Sequence, residues 1–94
     1  MRITYTPEAI HDLKRLREFI AEHNPRAANR IAKNIQAGIS KLKVFPQMGL
    51  SVSKAPDPEM IRDLYVGDYT VRYLLNRKIY ILRVWHGKEV EKDS

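Results

Sequence analysis

Residues 60–86 read MIRDLYVGDYTVRYLLNRKIYILRVWH, and this stretch decides the fold. β-branched and aromatic side chains dominate it, and Gly67-Asp68 and Asn76-Arg77 divide it into runs 60–66, 69–75 and 78–86. Two-residue breaks of this composition suit tight hairpin turns, so the runs form an antiparallel meander. Such turns set the register, with Leu64 opposite Val71, Leu75 opposite Lys78 and Val71 opposite Leu82. Because side chains alternate across a strand, that register sorts the meander into two faces. One carries Leu64, Val66, Tyr69, Val71, Tyr73, Leu75, Tyr80, Leu82 and Val84, an apolar surface suited to a core. The other carries Ile61, Asp63, Tyr65, Thr70, Arg72, Leu74, Ile79, Ile81, Arg83 and Trp85, where apolar side chains interleave with arginines. A mixed face of that kind awaits a partner unless the long loop or the C-terminal tail covers it.

Upstream, the pattern changes to a helical period. Residues 2–6 are short, partly β-branched and alternating, which suits a first strand. Thr6-Pro7-Glu8 then supplies a cap, a proline at the first helical position and an acidic first turn. Ala9, Leu13, Leu16 and Ile20 follow on one stripe. Asn24-Pro25 stops this helix and starts a second, whose stripe of Ala28, Ile31, Ile35, Ile39 and Leu42 is expected to run to Phe45, before Pro46. The two helices form a hairpin, with Gly38 marking a close approach between them. Residues 46–59, with Pro46, Gly49, Pro56 and Pro58, read as a surface loop. The order is therefore β-α-α-β-β-β, an α+β domain in which a helix hairpin packs on a mainly antiparallel sheet.

With 94 residues, the chain has room for one domain, residues 1–94. The absence of cysteine excludes disulfides and thiolate metal sites. No apolar run approaches the roughly 20 residues of a membrane span, and the first residues lack a signal peptide's apolar stretch, so a cytoplasmic location is expected. His11, His23 and His86 show no ligand spacing, and the isolated glycines cannot cradle a phosphate; no metal and no cofactor are expected. Seventeen Lys and Arg against eleven Asp and Glu give a net charge of +6, suited to nucleic acid or an acidic protein. A helix-turn-helix DNA reader is disfavoured because the second helix is too long. Metal-free RNA cleavage needs a general base, a general acid and cations, which Arg72, Arg83, His86, Lys88 and Lys54 could supply if they cluster.

Taken together, Asn24-Pro25 with Ala27, Ala28 and Ile31; Leu42, Phe45-Pro46 and Gly49; Arg62-Asp63-Leu64 and Val66; Tyr69 and Tyr73; and Ile81-Leu82-Arg83-Val84 with His86-Gly87 resemble the RelE/ParE superfamily of toxins from type II toxin-antitoxin systems. The closest likeness is to the ParE branch, the gyrase-poisoning toxins of plasmid and chromosomal stabilisation modules. The resemblance spans nearly the whole chain. It implies a cognate antitoxin that carries a DNA-binding domain and lays an acidic-apolar segment over the sheet, with operator DNA contacted only through that antitoxin. Tyr65, Arg72, Leu74, Ile79, Ile81, Arg83 and Trp85 are then the expected antitoxin-binding residues, and His86 and Lys88 candidate target contacts.

The superfamily divides between ribosome-dependent mRNA endonucleases and inhibitors of DNA gyrase. In the endonuclease branch, basic residues sit on the first meander strand, an arginine follows the tyrosine of the next, and another arginine lies beyond the last with a tyrosine downstream. Here those places hold Ile61 and Asp63, Thr70, and Lys88-Glu89, with no tyrosine after Tyr80. The resemblance therefore implies gyrase inhibition by binding, with no catalytic residues. The alternatives are an mRNA endonuclease using Arg72, Arg83, His86 or Lys88, and a non-toxic binding member of the same fold.

Overall fold

A computed structural model describes residues 1–57 and 59–89. The chain runs β1 (Ile3–Tyr5), α1 (Pro7–His23), α2 (Pro25–Lys41), β2 (Leu50–Ser51), β3 (Ile61–Val66), β4 (Tyr69–Asn76) and β5 (Lys78–His86). The strands form one sheet in the order β1-β5-β4-β3-β2, with β1 parallel to β5 and the other pairs antiparallel. Both helices start as the sequence expects. Thr6 Oγ1 accepts from the Ala9 amide at 3.1 Å, and Asn24 Oδ1 accepts from the Ala27 amide at 3.1 Å, each satisfying a donor that a helix start would leave unpaired. A proline occupies the first turn of each.

Ala9 and Leu16 of α1, Ile35 and Ile39 of α2, and Leu42 beyond it meet Leu64, Val71, Tyr73, Ile79, Ile81 and Val84 of the sheet in one buried cluster. The hairpin covers one face of the sheet, and α1 crosses β5 while α2 lies over β3.

Four expectations need correction. The second helix ends at Lys41, short of Phe45, and Leu42 closes it by donating to the Ile39 carbonyl at 3.0 Å. Gly38 accommodates the sheet, not α1: a Cβ there would lie 2.7 Å from a methyl of Val66. The loop 46–59 contains the short edge strand β2, whose Ser51 pairs with Arg62; Pro58 of that loop lies outside the described residues.

The fourth correction moves residues between faces. Asn76 pairs with Lys78, leaving Arg77 alone at the hairpin tip with φ 63°. This differs by one residue from the expected pairing of Leu75 with Lys78 and reverses the faces of residues 78–81. Ile79 and Ile81 therefore sit fully buried in the helix-side core, at 0 % exposure, and Tyr80 and Leu82 are only half-buried. A β-bulge at Leu82 then restores the expected parity, because Tyr73 pairs with Ile81 but Arg72 pairs with Arg83. Val84 returns to the core and Trp85 to the opposite face, across from Thr70.

Candidate functional site

On the face away from the helices, β3, β4 and the end of β5 bring together Asp63, Tyr65, Arg72, Leu74 and Trp85. Asp63 and Arg72 are direct cross-strand partners, close enough for the planar guanidinium to grip the carboxylate with two parallel bonds. Arg72 Nε donates to Asp63 Oδ1 at 2.8 Å and Nη2 to Oδ2 at 3.0 Å. The same guanidinium lies 5.0 Å from the centre of the Trp85 ring, a cation-π stack. Arg72 and Trp85 are each only 6 % exposed. Tyr65, by contrast, is 60 % exposed, and Leu74 is half-buried. The face thus presents an exposed aromatic and part of a leucine beside a neutralised, ordered arginine.

Three of the expected antitoxin-binding residues are absent from that face. Ile79 and Ile81 belong to the core because of the hairpin slip. Arg83 is the register partner of Arg72, yet it bonds the opposite layer: its Nε donates to Asp12 Oδ2 at 2.8 Å and its Nη2 to Asp12 Oδ1 at 3.0 Å. The bulge at Leu82 re-aims the side chain toward α1. Asp12 also accepts from the Val84 amide at 2.9 Å. Burial alone pushes the Asp12 carboxyl up, but the bonds from Arg83 and Val84 and the charges of Arg83 and Arg15 outweigh it and hold the group below the ordinary 3.8.

His86 and Lys88 lie at a second place, the junction of α1 with the ends of β4 and β5. A groove of about 520 Å³ there has Leu16, Phe19 and Ile20 as its apolar wall and Arg15, Tyr69, His86, Lys88 and Glu89 on its other sides. The Tyr69 ring meets His86 edge-on at 5.1 Å. Burial, then the charges of Asp68 and Glu89, raises the Tyr69 hydroxyl above its ordinary value. Glu89 takes the His86 amide on Oε1 at 3.0 Å and Arg15 Nη1 on Oε2 at 2.9 Å. The Lys88 amide donates to His86 Nδ1 at 3.0 Å, which leaves Nε2 as the ring's protonated nitrogen. This His86–Glu89 turn is consequently closed on itself and tied to α1. Lys88 lines the groove, and both Glu89 oxygens are engaged, so neither stands free to take a proton. Nor do three or more His, Cys, Asp or Glu side chains converge to hold a metal among the described residues.

Arg62 holds the loop after α2. Its Nη1 donates to the Gly49 carbonyl at 2.9 Å, and its Nη2 lies 3.8 Å from Glu59. The neighbouring Tyr73 completes the fastening, its hydroxyl donating to the Pro46 carbonyl at 2.7 Å and accepting from the Gly49 amide at 2.9 Å.

Comparison with known proteins agrees with this architecture. Residues 3–91 match the family model described as ParE toxin of type II toxin-antitoxin system, parDE. Toxin RelE1 of Caulobacter vibrioides is 33 % identical over 82 residues, covering 86 % of this chain and 87 % of that protein. Toxin RelE2 of the same organism is 26 % identical over 88 residues, covering 92 % and 94 %. Among solved structures, the chromosomal ParDE TA system from P. aeruginosa superposes with a TM-score of 0.76 at 21 % identity, covering 92 % of this chain and 95 % of that one. With the family match spanning nearly every residue, the chain belongs to the ParE toxin family of type II toxin-antitoxin systems, a membership that implies a cognate antitoxin as its partner.

Proposed function

We propose that this toxin acts in the cytoplasm by binding DNA gyrase and stalling replication, and not by cutting mRNA. The observation that carries the reading is the Asp63–Arg72 pair. Metal-free phosphodiester cleavage needs unneutralised cations at the developing charge and a proton acceptor at the attacking hydroxyl. Here the arginine in the middle of the open face is held by a carboxylate in two bonds and stacked on Trp85, and Arg83 is committed to Asp12. His86 and Lys88 stand together at the end groove, where they suit a target contact better than a reaction.

The antitoxin is proposed to cross the open face over Tyr65 and Leu74, with Arg72 and Trp85 forming the firm base beneath it. An antitoxin carrying a DNA-binding domain would then link this toxin to operator DNA. mRNA cleavage is the second reading, favoured by the RelE names of the two Caulobacter relatives.

Two assays run side by side separate these readings: supercoiling by purified gyrase, and cleavage of mRNA on translating ribosomes. Inhibited supercoiling with intact mRNA is the expected result. mRNA cut at defined codon positions with gyrase unaffected overturns the proposal, and inactivity in both makes the chain a non-toxic binding member.

A further inference from the structure

The net charge of this chain comes from one segment. Between Glu22 and Asp57 there is no Asp or Glu, and the six cations there, Arg26, Arg30, Lys33, Lys41, Lys43 and Lys54, equal the whole net charge of +6. The rest of the chain balances, with eleven basic and eleven acidic side chains. Arg26, Arg30, Lys33 and Lys41 are all exposed residues of α2. Their spacings of four, three and eight residues keep them on one side of a 3.6-residue helix, in a row about 22 Å long. Asn29 and Asn34, also exposed, flank the row. Among the described residues, none of the four forms an ion pair with a carboxylate.

We infer that this row on α2 is a binding surface for the sugar-phosphate backbone of duplex DNA, contacted by the toxin itself as well as through its antitoxin. Three features of the row select that occupant. A chain segment that folds on binding needs apolar anchors to offset its ordering entropy, and the exposed large apolar side chains all lie outside α2. Unpaired bases are held by aromatic stacking, and α2 has no aromatic residue. Arginines and lysines along one side of the helix, with asparagines beside them, match a phosphate backbone, which accepts from both kinds of side chain. An exposed helix also fits the major groove of B-form DNA, whereas the narrow groove of an RNA duplex excludes it. This inference is independent of the gyrase reading, because it concerns the exposed side of α2 and not the groove at His86 and Lys88.

The test is fluorescence anisotropy of the full chain with a labelled DNA duplex of arbitrary sequence, repeated over a series of salt concentrations. Four phosphate contacts give a log-log slope of about −3.6, a loss of roughly a hundredfold between about 50 and 200 mM salt. The double variant Arg26→Gln/Arg30→Gln should reduce the steepness by about 2, while Lys54→Gln/Lys78→Gln, off the row, should leave it unchanged. Circular dichroism checks that each variant stays helical; if the first pair unfolds the chain, Lys33→Gln/Lys41→Gln takes its place. Absent binding at low salt overturns the inference, as does a slope that the row variants do not alter. Tighter row-dependent binding to an RNA duplex, or to polyglutamate at equal charge, overturns the choice of DNA.

Discussion

Asp12 performs three tasks with one carboxylate. It neutralises Arg83, takes the amide of Val84 just past the bulge, and holds α1 against β5. At 1 % exposure it has no water to replace a lost partner, and removing one member of a buried pair strands the other. Asp12→Ala should therefore cost about 3 kcal/mol in denaturant unfolding. The folded carboxyl titrates below its ordinary value, so its stabilising effect is present above that value and disappears as pH falls through the folded one. The gap between wild type and Asp12→Asn should accordingly be full near neutrality and narrow on acidification through the carboxylate range. A gap independent of pH would mean that charge contributes nothing at this position. Ile81 and Leu82 make a second comparison, since the hairpin slip puts the first in the core and the bulge leaves the second half-buried. Ile81→Ala should cost about 2 to 5 kcal/mol, and Leu82→Ala clearly less; equal losses would contradict the observed register.

At the level of elements, helix starts were plain in the sequence because Thr6-Pro7 and Asn24-Pro25 act locally, and the strands were plain because composition and alternation agree. The face of residues 78–81 was not. It depends on whether Asn76-Arg77 makes a two-residue turn or a tip with Arg77 alone at φ 63°, and no side chain nearby reveals the choice. The bulge at Leu82 compounds this, since an inserted residue leaves no mark in the hydrophobic pattern. Hence Tyr65, Arg72, Leu74 and Trp85 lie on the open face as the alternation predicts, while Ile79, Ile81 and the Arg83 side chain do not. The strand β2 was hidden for a different reason: two residues are too few to show a period, and Arg62 and Tyr73 hold the adjoining turn through side chains distant in sequence. That clamp is tightest at Gly49, where a Cβ would come within 2.7 Å of the Tyr73 ring and 3.0 Å of the Asp63 carbonyl. Gly49→Ala should thus destabilise by about 1 to 3 kcal/mol through overpacking, and Tyr73→Phe should speed amide exchange at Gly49, whose hydroxyl acceptor it removes. Unchanged exchange in Tyr73→Phe would show that the edge strand holds the loop without the clamp.

For the molecule as a whole, the two layers are chemically unlike: α2 is basic and free of exposed large apolar side chains, whereas the open sheet face offers Tyr65 beside an arginine already neutralised by Asp63. An antitoxin segment crossing that face gains most from apolar contact with Tyr65 and Leu74, since exposed aromatic side chains bring large area at small entropic cost. Arg72 contributes differently, by stacking on Trp85 and pairing with Asp63 beneath the surface. Two substitutions distinguish these roles. Tyr65→Ala, at an exposed position, should leave the unfolding midpoint nearly unchanged and weaken the antitoxin complex by about tenfold or more, a loss of ~1.4 kcal/mol or greater. Arg72→Ala leaves Asp63 buried without its cation and should lower stability and antitoxin affinity together. Calorimetric titration of each folded variant with the cognate antitoxin, beside a thermal unfolding curve, measures both quantities. Affinity retained within twofold by Tyr65→Ala would remove the open face as the antitoxin site, and undiminished stability of Arg72→Ala would remove the ion pair as its support.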